Sequence, residues 1–274
     1  MIEYLQKFIF FYFGKKISNK GIPMRNKATL VNELNATNID PSGSLLIHSS
    51  MKSLGPIDGG AETVIDALIE FMQDGLLIMP THTWEPHNNK DNRFDPAKEP
   101  SCVGLLGELF RQRAGVVRSL HPTHSVAALG ASAANFIANE ERCQSPCPAY
   151  GVWSKLEQYD TQILFLGCPL SKNTFIHSIE EQYQIPQRLS KGFTHYQIKS
   201  GDQWLDCSMR GHDAPCKDIS LNYAKLLPIF LQRGAAQQVK IAESTSYLCS
   251  AAKMAYICGE YLKVNPDFFM LPEL

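Results

Sequence analysis

The chain has 274 residues, enough for one large domain or two small ones. Hydrophobic residues make up 44 % of it and charged residues 19 %, which supports a substantial core and excludes global disorder. With 26 Lys and Arg against 27 Asp and Glu the net charge is −1, so no basic excess calls for nucleic acid and no acidic excess for a polycationic partner.

Residues 4–13 are strongly apolar but too short to span a bilayer, and no small-residue cleavage site follows them. Lys15, Lys16, Lys20, Arg25 and Lys27 come next. Residues 1–25 are therefore expected to form a helix docked on the body or on a partner subunit. An interfacial anchor through residues 1–20 is the alternative, which would make a cytoplasmic protein peripheral to the membrane.

Residues 28–36 read as a short helix, 44–48 as a strand, 61–72 as an amphipathic helix and 75–79 as a second strand ended by Pro80. This order predicts a parallel crossover. The polar stretch 81–103 is long for a loop in a compact domain, and such loops are usually functional. A helix at 105–112, a strand at 125–130 and a helix–strand pair over 152–167 follow. Beyond the next helix, strands 194–199 and 203–207 flank Ser200-Gly201-Asp202 as a hairpin. The chain ends with helices at 219–232 and 245–262 around a short strand at 238–241. No internal repeat or linker interrupts residues 26–274, which read as one α/β domain.

Eight cysteines, at 102, 143, 147, 168, 207, 216, 249 and 258, are irregularly spaced with no C-x-x-C pair. They are expected to be reduced thiols rather than a disulfide framework, and no zinc site is expected from their spacing.

Four segments carry chemistry. His48-Ser49-Ser50-Met51-Lys52-Ser53 lies between a strand and a helix, and with Gly59-Gly60 it suits an anionic ligand at a helix N-terminus. It is not a Walker loop, and an ordinary βα turn explains its spacing equally well. Thr81-His82-Thr83-Trp84-Glu85 follows a strand end, where ligand loops of open α/β folds belong. In Arg118-Ser119-Leu120-His121-Pro122-Thr123-His124-Ser125, Arg118 could pair with phosphate. Pro122 argues against a helix presenting His121 and His124 together to a metal, so no metal is expected there. Orientation of a ligand or of the loop itself is the simpler reading. The fourth segment, 171–181, opens a helix after the buried strand 163–167 and sets Thr174, His177 and Glu181 on one face. Positive partial charge at a helix N-terminus favours neutral imidazole, the form a general base needs.

Taken together, Leu46-Ile47-His48-Ser49-Ser50 with Leu54-Gly55 and Gly59-Gly60, Met79-Pro80-Thr81-His82-Thr83, Arg118-Ser119-x-His121-Pro122-Thr123-His124-Ser125 and Asn173-Thr174-x-x-His177-x-x-Glu180-Glu181 resemble the aminoglycoside 3-N-acetyltransferase family. The likeness runs over roughly residues 28–262. It implies an α/β fold with a mixed central sheet flanked by helices, and acetyl transfer from acetyl-CoA to an amine without a metal. By the resemblance, His48, Ser49, Ser50, Lys52 and Ser53, with Arg118, Ser119, His121 and His124, would bind coenzyme A. His177 matches the catalytic histidine, and Asp206 falls near an active-site carboxylate. Asp206, or else Glu181, would orient the imidazole; Thr174 or the backbone of 49–53 would meet the oxyanion. His82, Trp84, Glu85 and Asp213 are assigned to the acceptor.

Direct transfer is expected, since a ping-pong route needs a nucleophile beside His177 and Cys168 is a weak one. Drug-modifying members imply an aminoglycoside acceptor and antibiotic resistance. Lys172, Arg188, Lys191 and Lys199 around the acceptor region instead favour an amino sugar, carried on a nucleotide or lipid phosphate in surface-polysaccharide synthesis. Three rival readings stand beside this one: a non-catalytic relative that binds coenzyme A or a sugar, a metal hydrolase on His82, His121 and His124, and a serine hydrolase on Ser49 or Ser50. The last lacks the G-x-S-x-G elbow.

Overall fold

A computed structural model describes residues 24–85, 88–216 and 218–270. The apolar stretch 4–13, and with it the expected docking helix or anchor, lies outside these residues. Among the described residues no helix is long and apolar enough to cross a membrane.

The elements in chain order are α1 (Lys27–Asn35), β1 (Ser44–Ser49), α2 (Gly60–Phe71), β2 (Leu76–Pro80), β3 (Arg93–Phe94), α3 (Leu105–Phe110), β4 (Val117–Arg118), β5 (Val126–Leu129), α4 (Ala133–Phe136), α5 (Val152–Gln158), β6 (Gln162–Leu166), α6 (Thr174–Gln182), β7 (Thr194–Ser200), β8 (Gln203–Met209), α7 (Leu227–Gln232), β9 (Ala236–Ile241), β10 (Ser244–Ser250) and α8 (Ala251–Val264). Seven strands make a mixed sheet in the order β4-β5-β2-β1-β6-β10-β9. Its centre is parallel: β1 pairs with β2 on one side and β6 on the other, and the outer strands run antiparallel. The expected crossover is present, with α2 returning the chain from β1 to β2.

Alternation along the central strands divides the core. Leu46, Ile78, Ile163 and Phe165 face one way and pack with Trp153, Phe175, Ile179, Met254 and Cys258 of α5, α6 and α8. Leu45, Ile47, Leu77, Met79, Leu164 and Leu166 face the other way, against Leu30, Leu34, Ile65, Leu68 and Phe110 of α1, α2 and α3. Each such fully buried side chain contributes roughly 1.5–3 kcal/mol. Because β1, β2 and β6 are parallel, their C-terminal ends open on one edge of the sheet. That edge receives the 48–53 turn, the 81–85 segment and the 167–174 segment together, as ligand crevices of open α/β sheets require. Gly167 keeps that crossing tight: its φ is +65°, and a Cβ there would lie 2.8 Å from Ser53 Cβ.

The C-terminal part departs from expectation. The expected helix 245–262 begins only at Ala251, where the Ser250 side chain accepts from the Lys253 backbone N–H. Residues 244–250 are instead a strand, inserted between β6 and β9. Thr245 and Tyr247 favour extended backbone, and pairing on both edges gives its backbone groups partners. The expected helix 219–232 is a 3-10 stretch at Ile219–Leu226, followed by α7 with Pro228 in its first turn. The long 81–103 segment is not structureless either, since β3 within it joins the hairpin β7–β8 as a second sheet.

Candidate active site

The parallel strand ends open into a cavity of about 1430 Å³. His48, His82, His124, His177 and His212 all line it, together with Ser49–Ser53, Trp84, Glu85, Asn173 and Thr174. Among the described residues its charged lining groups are Lys52, Lys172, Glu85 and Asp218, two of each sign.

His177 stands in the first turn of α6, with its side chain 15 % exposed toward this space. Its Nδ1 lies 2.7 Å from the Tyr223 hydroxyl and 3.4 Å from Glu180 Oε2. The Tyr223 hydroxyl donates its one proton to Glu180 Oε2 at 2.6 Å, so its oxygen accepts from His177 Nδ1–H. This assigns the tautomer and leaves the lone pair on Nε2. Arg188 Nε donates to the other carboxylate oxygen at 2.6 Å. Glu180 is 1 % exposed. Burial opposes its ionisation, but the adjacent His177 ring and the hydrogen bonds from Tyr223 and Arg188 outweigh that and hold it below the ordinary carboxylate range.

The other rings are kept neutral by their surroundings. Burial pushes His48 down to about 3, and its ring stacks on Phe165 at 5.2 Å. Burial, then the neighbouring histidines, pushes His82 and His124 well below the ordinary value. His82 Nε2 reaches Thr174 Oγ1 at 3.2 Å, while its Nδ1 has no hydrogen-bond partner among the described residues. His212 stacks on His177 with centroids 4.1 Å apart, and burial brings it down to about 4. These rings make the fold acid-labile. The unfolded chain protonates histidine near pH 6.5, whereas the folded chain protonates His48, His121 and His212 only at about 3, 4 and 4. Their contribution is full above about pH 6.5 and is lost as pH falls through the folded values. Each of these rings, and His82 and His124 likewise, is therefore expected to take up about one proton on unfolding between about pH 6 and pH 4.5. Urea melts across that range would read it as a steadily falling stability, and a flat profile would mean the rings are already charged in the fold.

Most of the residues expected at the site line the cavity: Ser49, Ser50, Lys52, Ser53, His82, Trp84 and Glu85, with His48, His124, Thr174 and His177. Others lie elsewhere. Asp206 is exposed on β8, where strand alternation buries Cys207 and Met209 and turns Asp206 outward; it accepts from Gln197 and lines a smaller hollow of about 410 Å³. The carboxylate on His177 is Glu180. Glu181 accepts from the Cys147 backbone N–H at 2.8 Å and from the Ser145 hydroxyl, so it pins the 145–147 loop rather than the His177 ring. Arg118, expected to meet phosphate, does not line the cavity. Its guanidinium donates to the carbonyls of Thr81, Pro96 and Glu99 and to the hydroxyls of Thr81 and Ser125, tying the long loop to the sheet. Burial lowers it to about 9.

Ser119 is wholly buried and accepts from the Val126 N–H. His121 accepts backbone N–H groups of Thr123 and His124 on Nδ1 and donates from Nε2 to the Ser145 carbonyl, which organises its own loop and uses both ring nitrogens. Asp213 is exposed, and its backbone N–H donates to the Arg188 carbonyl; the neighbour that reaches the cavity is His212. Cys168 lines the cavity, and burial pushes its thiol up to about 12, against the thiolate a nucleophile needs. All eight cysteines are free.

Sequence reasoning misses Glu180 as partner, and with it Tyr223, Arg188 and His212. Glu180 is three residues from His177 and could be found by spacing, but Glu181 at four is an equal match. Arg188, expected beside the acceptor, is instead buried on Glu180 and does not line the cavity; nothing in the sequence singles out Tyr223.

Comparison with known proteins extends over the whole of this arrangement. Aminoglycoside N(3)-acetyltransferase VII of Streptomyces paromomycinus is 29 % identical over 224 residues, covering 74 % of this chain and 75 % of that one. Two solved structures share the fold. A variant of AAC(3)-IVa in complex with a gentamicin matches with a TM-score of 0.79 and 23 % identity, over 93 % of this chain and 94 % of that one. AAC-IIIb as a binary complex with CoASH matches with a TM-score of 0.75 and 22 % identity, over 88 % and 97 %. The sequence model of the aminoglycoside 3-N-acetyltransferase family matches residues 46–263, and the chain therefore belongs to that family of acyltransferases.

Proposed function

We propose that this chain transfers an acetyl group from acetyl-CoA to an amine of an amino sugar, directly and with His177 as general base. The observation that carries this reading is the His177–Tyr223–Glu180 relay at the wall of the cavity. The amine loses a proton to His177 Nε2 as it attacks, while Nδ1–H stays against the Tyr223 oxygen. Glu180, ionised and buried, stabilises the imidazolium that forms. That imidazolium can return its proton to the departing sulfur, so no covalent enzyme intermediate is required. Thr174 Oγ1 beside His82 is the side-chain donor available for the oxyanion.

The donor set suits acetyl-CoA, which would supply the reactive thioester carbonyl. The hydroxyls of Ser49, Ser50 and Ser53 and the ammonium groups of Lys52 and Lys172 are the cavity groups that would hold its phosphates. Replacing both Lys52 and Lys172 by Ala is expected to raise KM for acetyl-CoA by about tenfold or more while kcat stays near native. An unchanged KM in steady-state kinetics would remove the phosphates from this end of the cavity.

The charge balance of the lining favours one acceptor class. Aminoglycosides carry several ammonium groups, and a cavity with two lysines for two carboxylates offers them no net attraction. An amino sugar with one free amine, carried on a phosphate, matches that balance better. Thiol release from acetyl-CoA with a panel of amines tests both readings. Turnover confined to aminoglycosides would overturn the acceptor proposal, and no release with any amine would overturn the transfer itself.

A further inference from the structure

Beside the relay lies a second group of side chains that acetyl transfer does not use. Cys147 precedes α5, Glu181 is in α6 and His212 follows β8. Their Sγ, carboxylate and ring nitrogen atoms all lie within 4.8 Å of one another. Glu181 Oε1 and His212 Nε2 are 3.6 Å apart, too far for a hydrogen bond, and the buried Nε2 has no hydrogen-bond partner among the described residues. The carboxylate is not free to turn away, because the Cys147 N–H and the Ser145 hydroxyl hold it from behind. A ligand carboxylate oriented by its own hydrogen bonds is what a metal site needs. Pro146 and His212 line the large cavity, so the group opens onto it.

We propose that Cys147, Glu181 and His212 bind a divalent cation of the zinc class. One thiolate, one imidazole and one carboxylate suit zinc or cobalt rather than magnesium or calcium, and three protein ligands leave a fourth position toward the cavity. Binding forms a metal–sulfur bond and releases the thiol proton to solvent. The His212 ring that would hold the ion stacks on His177, with centroids 4.1 Å apart.

The test begins with metal-free native chain titrated with Co²⁺, followed by absorption, and with Zn²⁺, followed by equilibrium dialysis. One ion per chain is expected, with a thiolate-to-cobalt charge-transfer band. Cys147→Ser should abolish the band while circular dichroism stays native, and His212→Gln should weaken Zn²⁺ binding by about tenfold or more. No band in the native chain, or an undiminished band in Cys147→Ser, would overturn the site. The spectroscopic and dialysis arms do not depend on any acyl transfer, so failure of the proposed reaction leaves them readable.

Discussion

His177→Ala is expected to bind acetyl-CoA as the native chain does and to lose about 10²–10⁴-fold in kcat, the usual worth of a positioned proton acceptor. The side chain is at the cavity wall rather than in the packed core, so truncation should leave the fold intact. Measuring acetyl-CoA affinity by calorimetry and thiol release in parallel separates the two roles. A variant that turns over at native rate would end the general-base reading. One that no longer binds acetyl-CoA would move His177 into the binding site. Asp206→Asn is the comparison: an exposed strand position away from the relay should change kcat/KM by no more than about twofold.

Glu180→Gln is expected to cost both activity and stability. Glu180 is 1 % exposed and Arg188 4 %, and their 2.6 Å contact is the main compensation for the buried guanidinium. Removing one partner of a buried pair leaves the other charge uncompensated, at about 3–5 kcal/mol. For a domain of this size the melting temperature should drop by roughly 10 °C. Activity should fall as well, because the relay loses the charge that stabilises the imidazolium. The sign matches that of the histidines, since both contributions are lost as pH falls, but the ranges differ. Glu180 is held below its unfolded pKa, so its contribution is present above the ordinary carboxylate range and is lost only as pH falls through the lower folded value. Native and variant stabilities should therefore begin to converge only below the ordinary carboxylate pKa of about 4.3, whereas the histidine loss begins near pH 6.5. A variant as stable as the native chain at about pH 7 would show that Arg188 finds other partners.

The family and the cavity-lining segments are legible because they are local. His48 to Ser53, Thr81 to Glu85 and Thr174 to His177 each follow a strand whose apolar run ends abruptly, and parallel pairing brings strand ends to one edge. Arg118, Ser119 and His121 mislead for the same reason: their residue types suit phosphate or metal, and only burial shows their polar atoms spent on backbone groups. Strand β10 reads as helix because its apolar residues join those of α8 in one periodic run; pairing with β6 and β9 overrides that local pattern.

Local pattern suffices for the α/β class, the parallel crossover, the strand-end loops and the histidine that heads α6. Each depends on residues a few positions apart, where hydrophobic period and capping act directly. Which carboxylate serves that histidine is a matter of packing alone. Glu180 and Glu181 are adjacent, but about 100° of helical turn sends one inward to Tyr223 and Arg188 and the other to Cys147 and His212. Cys147 and Tyr223 come from 34 residues before Glu181 and 43 residues after Glu180. Their proximity to α6 is set by how the loops and helices close over the sheet, which no local spacing encodes.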